Sequence, residues 1–172
     1  MYSPYSKKCL FERQQQNKYE RIGSEYKGLD ASKWPRLYIE WDLTPENFYR
    51  SLDGENMESV SQAYDKGFAI GKVATDSIYK KLFFNCIVKN SNDFWSICNE
   101  NKACGVLGRW KEQQLITPPL LTPYEGTLII AGGNHRFNVA RLAGAEMIYF
   151  ITPKESQSEI DSIISSVLWQ FG

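Results

Sequence analysis

The segment that decides the fold is IIAGGNHRFNVARLAGAEMIYFIT, residues 129–152. Together with the preceding residues it begins as an apolar strand, TLIIA, which breaks at Gly132 and Gly133. A helix follows and ends before Gly144, and MIYFIT (147–152) forms the next strand. Strands that alternate with helices are typical of an α/β fold.

The turn into that helix has the features of an anion-binding site. Asn134 is the expected N-cap, and the first N–H groups of a helix attract anions because they lack intrahelical partners. Gly132 and Gly133 would let a phosphate approach the backbone. His135 and Arg136 fall in the first helical turn, where positive charge is unfavourable unless an anion is bound. Neither a P-loop nor G-x-G-x-x-G is present, so a plain turn with a packed histidine stays the alternative.

The remaining chain divides into segments of different character. Residues 1–33 are polar, with seven Lys or Arg against four Asp or Glu, and predict a loosely structured arm with a helix around 10–20. LYIEW (37–41) reads as a strand. Residues 53–105 are mostly helical in pattern and predict an enlarged helical insertion in a domain that spans 34–172.

The last segment, 153–172, predicts an amphipathic docking helix. Thr152-Pro153-Lys154-Glu155 reads as a capping box with proline at the first helical position. Apolar residues follow at helical spacing: Ile160, Ile163, Ile164, Val167 and Leu168. The helix can cover the protein's own sheet, or it can use Trp169 and Phe171 to dock a partner or a second copy. The oligomeric state is therefore open, with a dimer as one alternative.

Composition argues against several classes of protein. The 20 basic residues balance the 20 acidic ones, so no overall attraction to DNA or to an anionic membrane is expected. The four cysteines form no C-x-x-C pair and cannot complete a zinc set with one histidine, so no metal site is predicted. We expect free thiols, no signal peptide, no membrane span and a cytoplasmic location.

The opening segment also resembles the signature of the ParB and sulfiredoxin superfamily. In that family a strand, a Gly-x-His-Arg type turn and a helix ending at glycine follow one another, as they do in IIAGGNHRFNVARLAG. IEWDLTPENFYRSL is similar to the family's opening strand and proline-containing turn, and GRWKEQQLITPPLL to the segment in which a helix gives way to a proline-led strand. The resemblance covers residues 37–152 and is specific over 126–152.

The resemblance implies a small α/β (α+β) domain, a mixed sheet with helices, that binds a nucleoside triphosphate, ATP or another, with or without Mg²⁺. Gly133, His135 and Arg136 would contact phosphate, with Gly132 and Asn134 in the same turn. In sulfiredoxins the position of Asn134 holds the catalytic cysteine, so sulfinic acid reduction is not expected. Free-serine kinases of the superfamily have an acidic residue before the turn, and chromosome-partition proteins have a helix-turn-helix after the domain. Neither feature has a counterpart in this sequence.

Catalysis at the phosphate would need a carboxylate that orients a nucleophile or magnesium. Glu40 and Asp42 lie at i and i+2 of the first predicted strand and so share a face. Since the resemblance places that strand beside the nucleotide, Glu40 is the preferred base. His135 is the second catalytic candidate, because an imidazole can donate a hydrogen bond to the bound anion. Solvent-facing carboxylates on a strand are the alternative for Glu40 and Asp42.

Three functions remain open at this point. The first is nucleotide binding with phosphotransferase or NTP hydrolase activity. The second is a nucleic-acid-associated module or nuclease of the ParB type, whose turn holds a DNA phosphate or a cytidine nucleotide. Neutral net charge and the missing helix-turn-helix argue against direct reading of DNA sequence. The third is an interaction protein that keeps the fold without catalysis.

Overall fold

The computed structural model describes residues 7–170, and over these residues the protein is a mixed α/β fold with one five-stranded open sheet. The helices are α1 (Lys7–Gly23), α2 (Met57–Ala63), α3 (Thr75–Tyr79), α4 (Ser91–Ile97), α5 (Glu100–Lys111), α6 (Asn134–Leu142) and α7 (Gln157–Ile163). The strands are β1 (Phe68–Ala74), β2 (Leu120–Tyr124), β3 (Thr127–Gly132), β4 (Met147–Pro153) and β5 (Leu168–Gln170). A 3-10 helix over Pro45–Ser51 matters for the site described below.

The sheet has the strand order β3-β2-β4-β1-β5. Its neighbouring strands are antiparallel except for β2 and β4, which run parallel and pair at Leu120 and Ile151. The predicted mixed sheet is therefore confirmed. The unit β3–α6–β4 also has the predicted order, and Gly144 follows α6 in the left-handed conformation that glycine tolerates, at φ 86°.

Apolar side chains cover both faces of the sheet. The larger core contains Trp110, Phe137 and Phe150, which come from α5, α6 and β4. The smaller core joins Phe48 to Leu120 and Ile151. Because successive strand residues point to opposite faces, Phe150 and Ile151 place the two cores on opposite sides of the sheet.

The helical insertion predicted over 53–105 is wrong in one respect, since this segment contains β1. The strand pairs with β4 along its whole length and also with β5. Its buried positions are Ala69, Gly71 and Val73, small residues that produce only a weak apolar alternation. Gly71 has to be small because a Cβ at this position would lie 2.5 Å from the Phe150 ring.

The strand predicted over 37–41 is also wrong, because the chain there makes only one isolated bridge, from Trp41 to Ile116. Two backbone hydrogen bonds accompany the bridge. The Asp42 N–H donates to Ile116 O at 2.9 Å, and the Ile116 N–H donates to Glu40 O at 3.3 Å. Residues 37–41 therefore pair with the segment between α5 and β2 at this point alone.

Both side-chain caps predicted for helices are wrong. The N-cap of α6 is Gly133, at φ 82° and ψ 27°, and Asn134 is the first helical residue. The backbone and side-chain oxygens of Asn134 instead accept hydrogen bonds from Asn138 Nδ2, at 3.0 and 2.9 Å. No capping box forms at Thr152, because this residue still belongs to β4 and its Oγ1 is buried without a partner in the described part of the chain.

The C-terminal helix is shorter than predicted and covers the protein's own sheet. Helix α7 ends at Ile163, and its isoleucines pack in the larger core. The chain then enters β5, which pairs with β1 at the edge of the sheet. Trp169 lies against Phe150 with ring centroids 5.6 Å apart. Phe171, the other residue predicted to dock a partner, lies outside the described residues.

The helix predicted around residues 10–20 is confirmed as α1, which is longer than expected, so the described part of residues 1–33 is not the loose arm that the sequence predicted. The first six residues lie outside the description. Helix α1 packs on α5 through glycines. A Cβ at Gly108 would lie 2.0 Å from Tyr19 O, and a Cβ at Gly23 would lie 1.9 Å from Cys104 O. The two backbones therefore touch directly, and this contact leaves no apolar periodicity in the sequence of α1.

Replacement of Gly108 by alanine tests this contact. Gly108→Ala is expected to lower the free energy of unfolding by about 1–3 kcal/mol, the usual cost of overpacking. Alanine favours a helix over glycine by about 1 kcal/mol, so helix propensity alone predicts the opposite sign. Urea denaturation followed by circular dichroism measures the difference. Asn101→Ala, at an exposed position of the same helix, is the control and should change stability little. A Gly108→Ala protein more stable than the wild type would contradict the close approach of the helices.

Candidate functional site

A cleft of about 1050 Å³ opens between α1, α5, the Pro45–Ser51 helix and the start of α6. Its cationic side chains outnumber its carboxylates six to three. The cations are Lys8, Arg13, Arg50, Lys102, Arg109 and Arg136. The carboxylates are Glu12, Asp42 and Asp53. The cleft is thus locally basic in a chain whose total charge is balanced.

Half of the predicted site residues line this cleft, namely Gly133, His135 and Arg136. The other half do not, namely Gly132, Asn134 and Glu40. The Glu40 side chain is exposed, and its backbone carbonyl accepts a hydrogen bond from the Trp110 indole at 3.2 Å. Because residues 37–41 form no strand, the expected alignment of Glu40 with Asp42 is missing, and of these two carboxylates Asp42 reaches the cleft.

The two glycines have a packing role that the sequence did not reveal. A Cβ at Gly132 would lie 2.1 Å from Ser51 O, so only glycine lets β3 approach the Pro45–Ser51 helix this closely. Gly133 adopts a φ of 82°, and a Cβ there would lie 2.9 Å from Pro119 Cα. Close contact between backbones therefore accounts for both glycines without a ligand.

Arg136 is held by four hydrogen bonds and is only 7% exposed. Its Nη1 donates to the backbone oxygen and to Oγ1 of Thr117, at 2.8 and 2.5 Å. Its Nη2 donates to the backbone oxygens of Arg50 and Ser51, at 3.3 and 3.1 Å. The guanidinium therefore ties the start of α6 to two other segments. The sequence predicted that Arg136 would contact a phosphate, whereas both of its terminal nitrogens already donate to the protein.

All four acceptors of Arg136 are neutral oxygens, and no carboxylate of the described residues lies within 4 Å of its guanidinium. Burial lowers the pKa of Arg136 to about 10, with the positive charge of Arg109 acting in the same direction and Asp53 opposing it. The side chain stays charged at neutral pH. It is a buried positive charge without a counter-ion in contact, which is costly in a protein interior.

The other cations of the cleft hold different partners. Arg50 faces Glu12 at 3.7 Å, across the gap between the 3-10 helix and α1. Lys102 pairs with Asp53 at 2.5 Å. Arg109 Nη2 donates to Gln16 Oε1 at 3.0 Å. Burial lowers the pKa of Arg109, and the nearby charge of Arg50 contributes to the same shift. Arg50 and Arg109 are therefore close enough for their positive charges to repel each other.

His135 is a hydrogen-bond acceptor rather than the donor that the sequence suggested. Its Nε2 accepts the Asn99 N–H at 3.0 Å, so the neutral ring carries its proton on Nδ1. Burial lowers the pKa of His135 below its ordinary 6.5, and the charges of Lys102 and Arg136 act in the same direction. The imidazole is therefore neutral at pH 7. It links the first turn of α6 to Asn99, the N-cap of α5.

Helices α5 and α1 are walls of the cleft that sequence reasoning missed. On α5 the lining residues are Lys102, Gly105, Val106 and Arg109. Their helical spacing places two cations on one face of α5, and this pattern is visible in the sequence. The contribution of α1, including Phe11 and Glu12, comes from a segment distant in the chain and has no local signal.

Metal ligands and reactive thiols do not gather in the described residues. Within 7–170, no group of three or more His, Cys, Asp or Glu side chains is placed to hold a metal ion. Cys86, Cys98 and Cys104 are free thiols, and burial raises the pKa of Cys98 to about 11, which disfavours a reactive thiolate. In the same range, no helix combines the length and the apolar character needed to cross a membrane.

Comparison of the chain with protein-family models, with curated proteins and with solved structures finds no match in any of the three. The functional interpretation of the cleft therefore rests on its own residues.

The bond between His135 and Asn99 predicts a pH dependence of stability. Because the folded-state pKa lies below 6.5, the native protein binds fewer protons than the unfolded chain at mildly acidic pH. The contribution of His135 is complete above about pH 6.5 and is lost as pH falls through the folded-state pKa. The free energy of unfolding of the wild type should therefore approach that of His135→Gln as pH falls from 7.5 to 5.

Chemical denaturation of both proteins across this range measures the effect. His135 is the only histidine, so other groups titrate alike in the two proteins. NMR of the ring protons gives the pKa directly. A gap between the two proteins that widens at low pH, or a pKa above 6.5, would contradict the buried neutral imidazole.

Proposed function

We propose that the cleft binds the phosphate groups of a nucleotide, ATP or another nucleoside triphosphate, with or without Mg²⁺. The observation that carries the proposal is the buried charge of Arg136, whose acceptors are all neutral. A buried cation is costly unless an opposite charge is near. An anion bound in the cleft would supply that charge and would lower the cost.

The surrounding groups favour the same ligand. Arg50, Lys102 and Arg109 line the cleft and can donate charge-assisted hydrogen bonds to phosphate oxygens. The start of α6 also faces the cleft through Gly133 and His135, and the first N–H groups of this nine-residue helix have no intrahelical acceptors. In this arrangement the positive charge of Arg136 attracts the phosphates without contacting them. The other cations and the N-terminus of α6 make the hydrogen bonds.

The size of the cleft suits a small organic ligand. Binding pockets for such ligands have volumes of about 300–1,000 Å³, and this cleft measures about 1050 Å³. The space between α1, α5, the Pro45–Ser51 helix and the start of α6 is larger than a phosphate ion needs. A nucleoside triphosphate therefore fits the available space better than an inorganic anion does.

Membership of the ParB and sulfiredoxin superfamily is part of the proposal. It is supported by the order β3–α6–β4 and by the position of Gly133, His135 and Arg136 at one cleft. Arg136 departs from the role that the resemblance implies, because its terminal nitrogens bind backbone and Thr117 oxygens. Phosphate contact falls instead to cations outside the signature.

Phosphotransferase or hydrolase activity remains a prediction, and it requires a carboxylate close to the phosphates. Asp42 and Asp53 line the cleft, whereas Glu40 does not. Asp42 is held in place because it accepts hydrogen bonds from Thr44 N at 3.0 Å and Asn47 Nδ2 at 2.7 Å. Asp42 therefore replaces Glu40 as the candidate that orients a nucleophile or Mg²⁺.

The other functional predictions have no specific contact in their favour. DNA association, a dimer, an interaction role without catalysis and a cytoplasmic location all stay predictions from the sequence. DNA binding shares the phosphate chemistry of the cleft, so duplex DNA belongs in the same binding experiment as nucleotides.

Isothermal titration of the full chain with ATP and with inorganic tripolyphosphate tests the proposal. Both ligands are expected to bind the wild type, and Arg109→Gln should weaken both by about tenfold or more, because a hydrogen bond to a charged group is lost. Lys102→Gln should act in the same direction. Far-ultraviolet circular dichroism of each variant shows whether it is folded.

Arg36→Gln is the matched control, since it removes a positive charge that does not line the cleft. It should leave both affinities unchanged. The proposal fails if the wild type binds neither ligand at millimolar concentration, or if Arg36→Gln weakens binding as much as Arg109→Gln does. Tight binding of duplex DNA without binding of ATP would favour the nucleic-acid alternative.

A further inference from the structure

Three aromatic side chains of the described residues line the cleft: Phe11, Tyr19 and Tyr49. Two of them are already engaged by arginines. The Arg109 guanidinium lies 5.0 Å from the Tyr19 ring centroid, and that of Arg50 lies 5.6 Å from the Tyr49 ring centroid. Phe11 differs from both, because it is 59% exposed. It is the ring with a face available to a ligand.

The packing of α1 does not explain Phe11. The buried residues of this helix are Tyr19 and Gly23, both in its second half, and Phe11 belongs to neither hydrophobic core. Leu115, 52% exposed, also lines the cleft. An otherwise charged cleft thus contains exposed apolar surface on two of its walls, which suits a ligand that carries a flat apolar group as well as negative charge.

The geometry of the helix pair holds Phe11 over the cleft. Helix α1 has 17 residues and α5 has 12, which correspond to about 25 and 18 Å. Gly23 contacts Cys104 and Tyr19 contacts Gly108, so the two helices are antiparallel. The first turns of α1 therefore extend beyond the C-terminal end of α5.

This overhang lies beside the cations of the cleft. Glu12, the neighbour of Phe11, faces Arg50 at 3.7 Å. A ligand whose phosphates reach Arg50 would therefore lie next to the first turns of α1. The exposed ring and the cations are close enough in the fold to contact two parts of one molecule.

We infer that Phe11 stacks on the base of the bound nucleotide, while Arg50, Lys102 and Arg109 hold its phosphates. The inference rests on the proposed function and specifies the ligand further, as a nucleoside polyphosphate rather than an inorganic one. Every nucleobase has a π-face, so stacking of this kind recognises the presence of a base and not its identity. Helix α1 then supplies a specificity-determining residue of the site.

The experiment compares ATP with inorganic tripolyphosphate, which carries phosphate charge but no base. Isothermal titration of the full chain should show that ATP binds the wild type at least about fivefold more tightly than tripolyphosphate, the lower end of what one stacked base contributes. Phe11→Ala should remove this preference and leave the affinity for tripolyphosphate unchanged. Phe11→Trp should retain the preference, because it restores a stacking surface.

Leu10→Ala is the matched control. Leu10 is the preceding residue of the same helix, is 46% exposed, and does not line the cleft. Its loss should change neither affinity. The inference is overturned if the wild type binds both ligands equally well. It is also overturned if Phe11→Ala weakens both ligands to the same extent, or affects neither. Those results leave phosphate binding intact, whereas a wild type that binds neither ligand overturns the proposed function as well.

Discussion

The guanidinium of Arg136 joins three stretches of backbone that lie far apart in the chain. From the first turn of α6 it donates to Thr117, just before β2, and to Arg50 and Ser51 at the end of the 3-10 helix. The absence of a side chain at Gly132 lets Ser51 come close enough for this contact. The same bonds that fix one wall of the cleft also bury a positive charge among neutral oxygens. In the proposed function, the bonds that hold the fold together and the attraction of the cleft for an anion thus have one origin.

The fold was predictable where apolar runs are long and glycines separate them. Glycines separate the apolar strands TLIIA and MIYFIT from the helix between them. As a result, β3, α6 and β4 occur where expected. Strand β1 was missed because its buried face consists of Ala69, Gly71 and Val73, and the missing side chain of Gly71 makes room for the Phe150 ring. The docking of α1 was missed for a related reason. Helix α1 is held by contacts between backbones at glycines, and a search for hydrophobic periodicity does not detect such contacts.

The position of the candidate site was more predictable than the role of each of its residues. The strand–turn–helix signal located Gly133, His135 and Arg136 at one cleft. It could not show that His135 accepts a hydrogen bond from Asn99, because that partner is brought near only by tertiary packing. The placement of Glu40 as a base depended on a strand that does not form. Cations on α5 share a helical face and could have been recognised, whereas the part played by α1 required the folded structure.

The central claim is that the buried charge of Arg136 is compensated by an anion in the cleft. NMR of the arginine Nε–Hε groups during titration with tripolyphosphate tests it most directly, since each signal reports the electrostatic surroundings of one guanidinium. We expect the signals of Arg136 and Arg109 to shift together and to saturate, while that of Arg36, outside the cleft, stays in place. An Arg136 signal that does not move while the anion binds elsewhere would contradict the account.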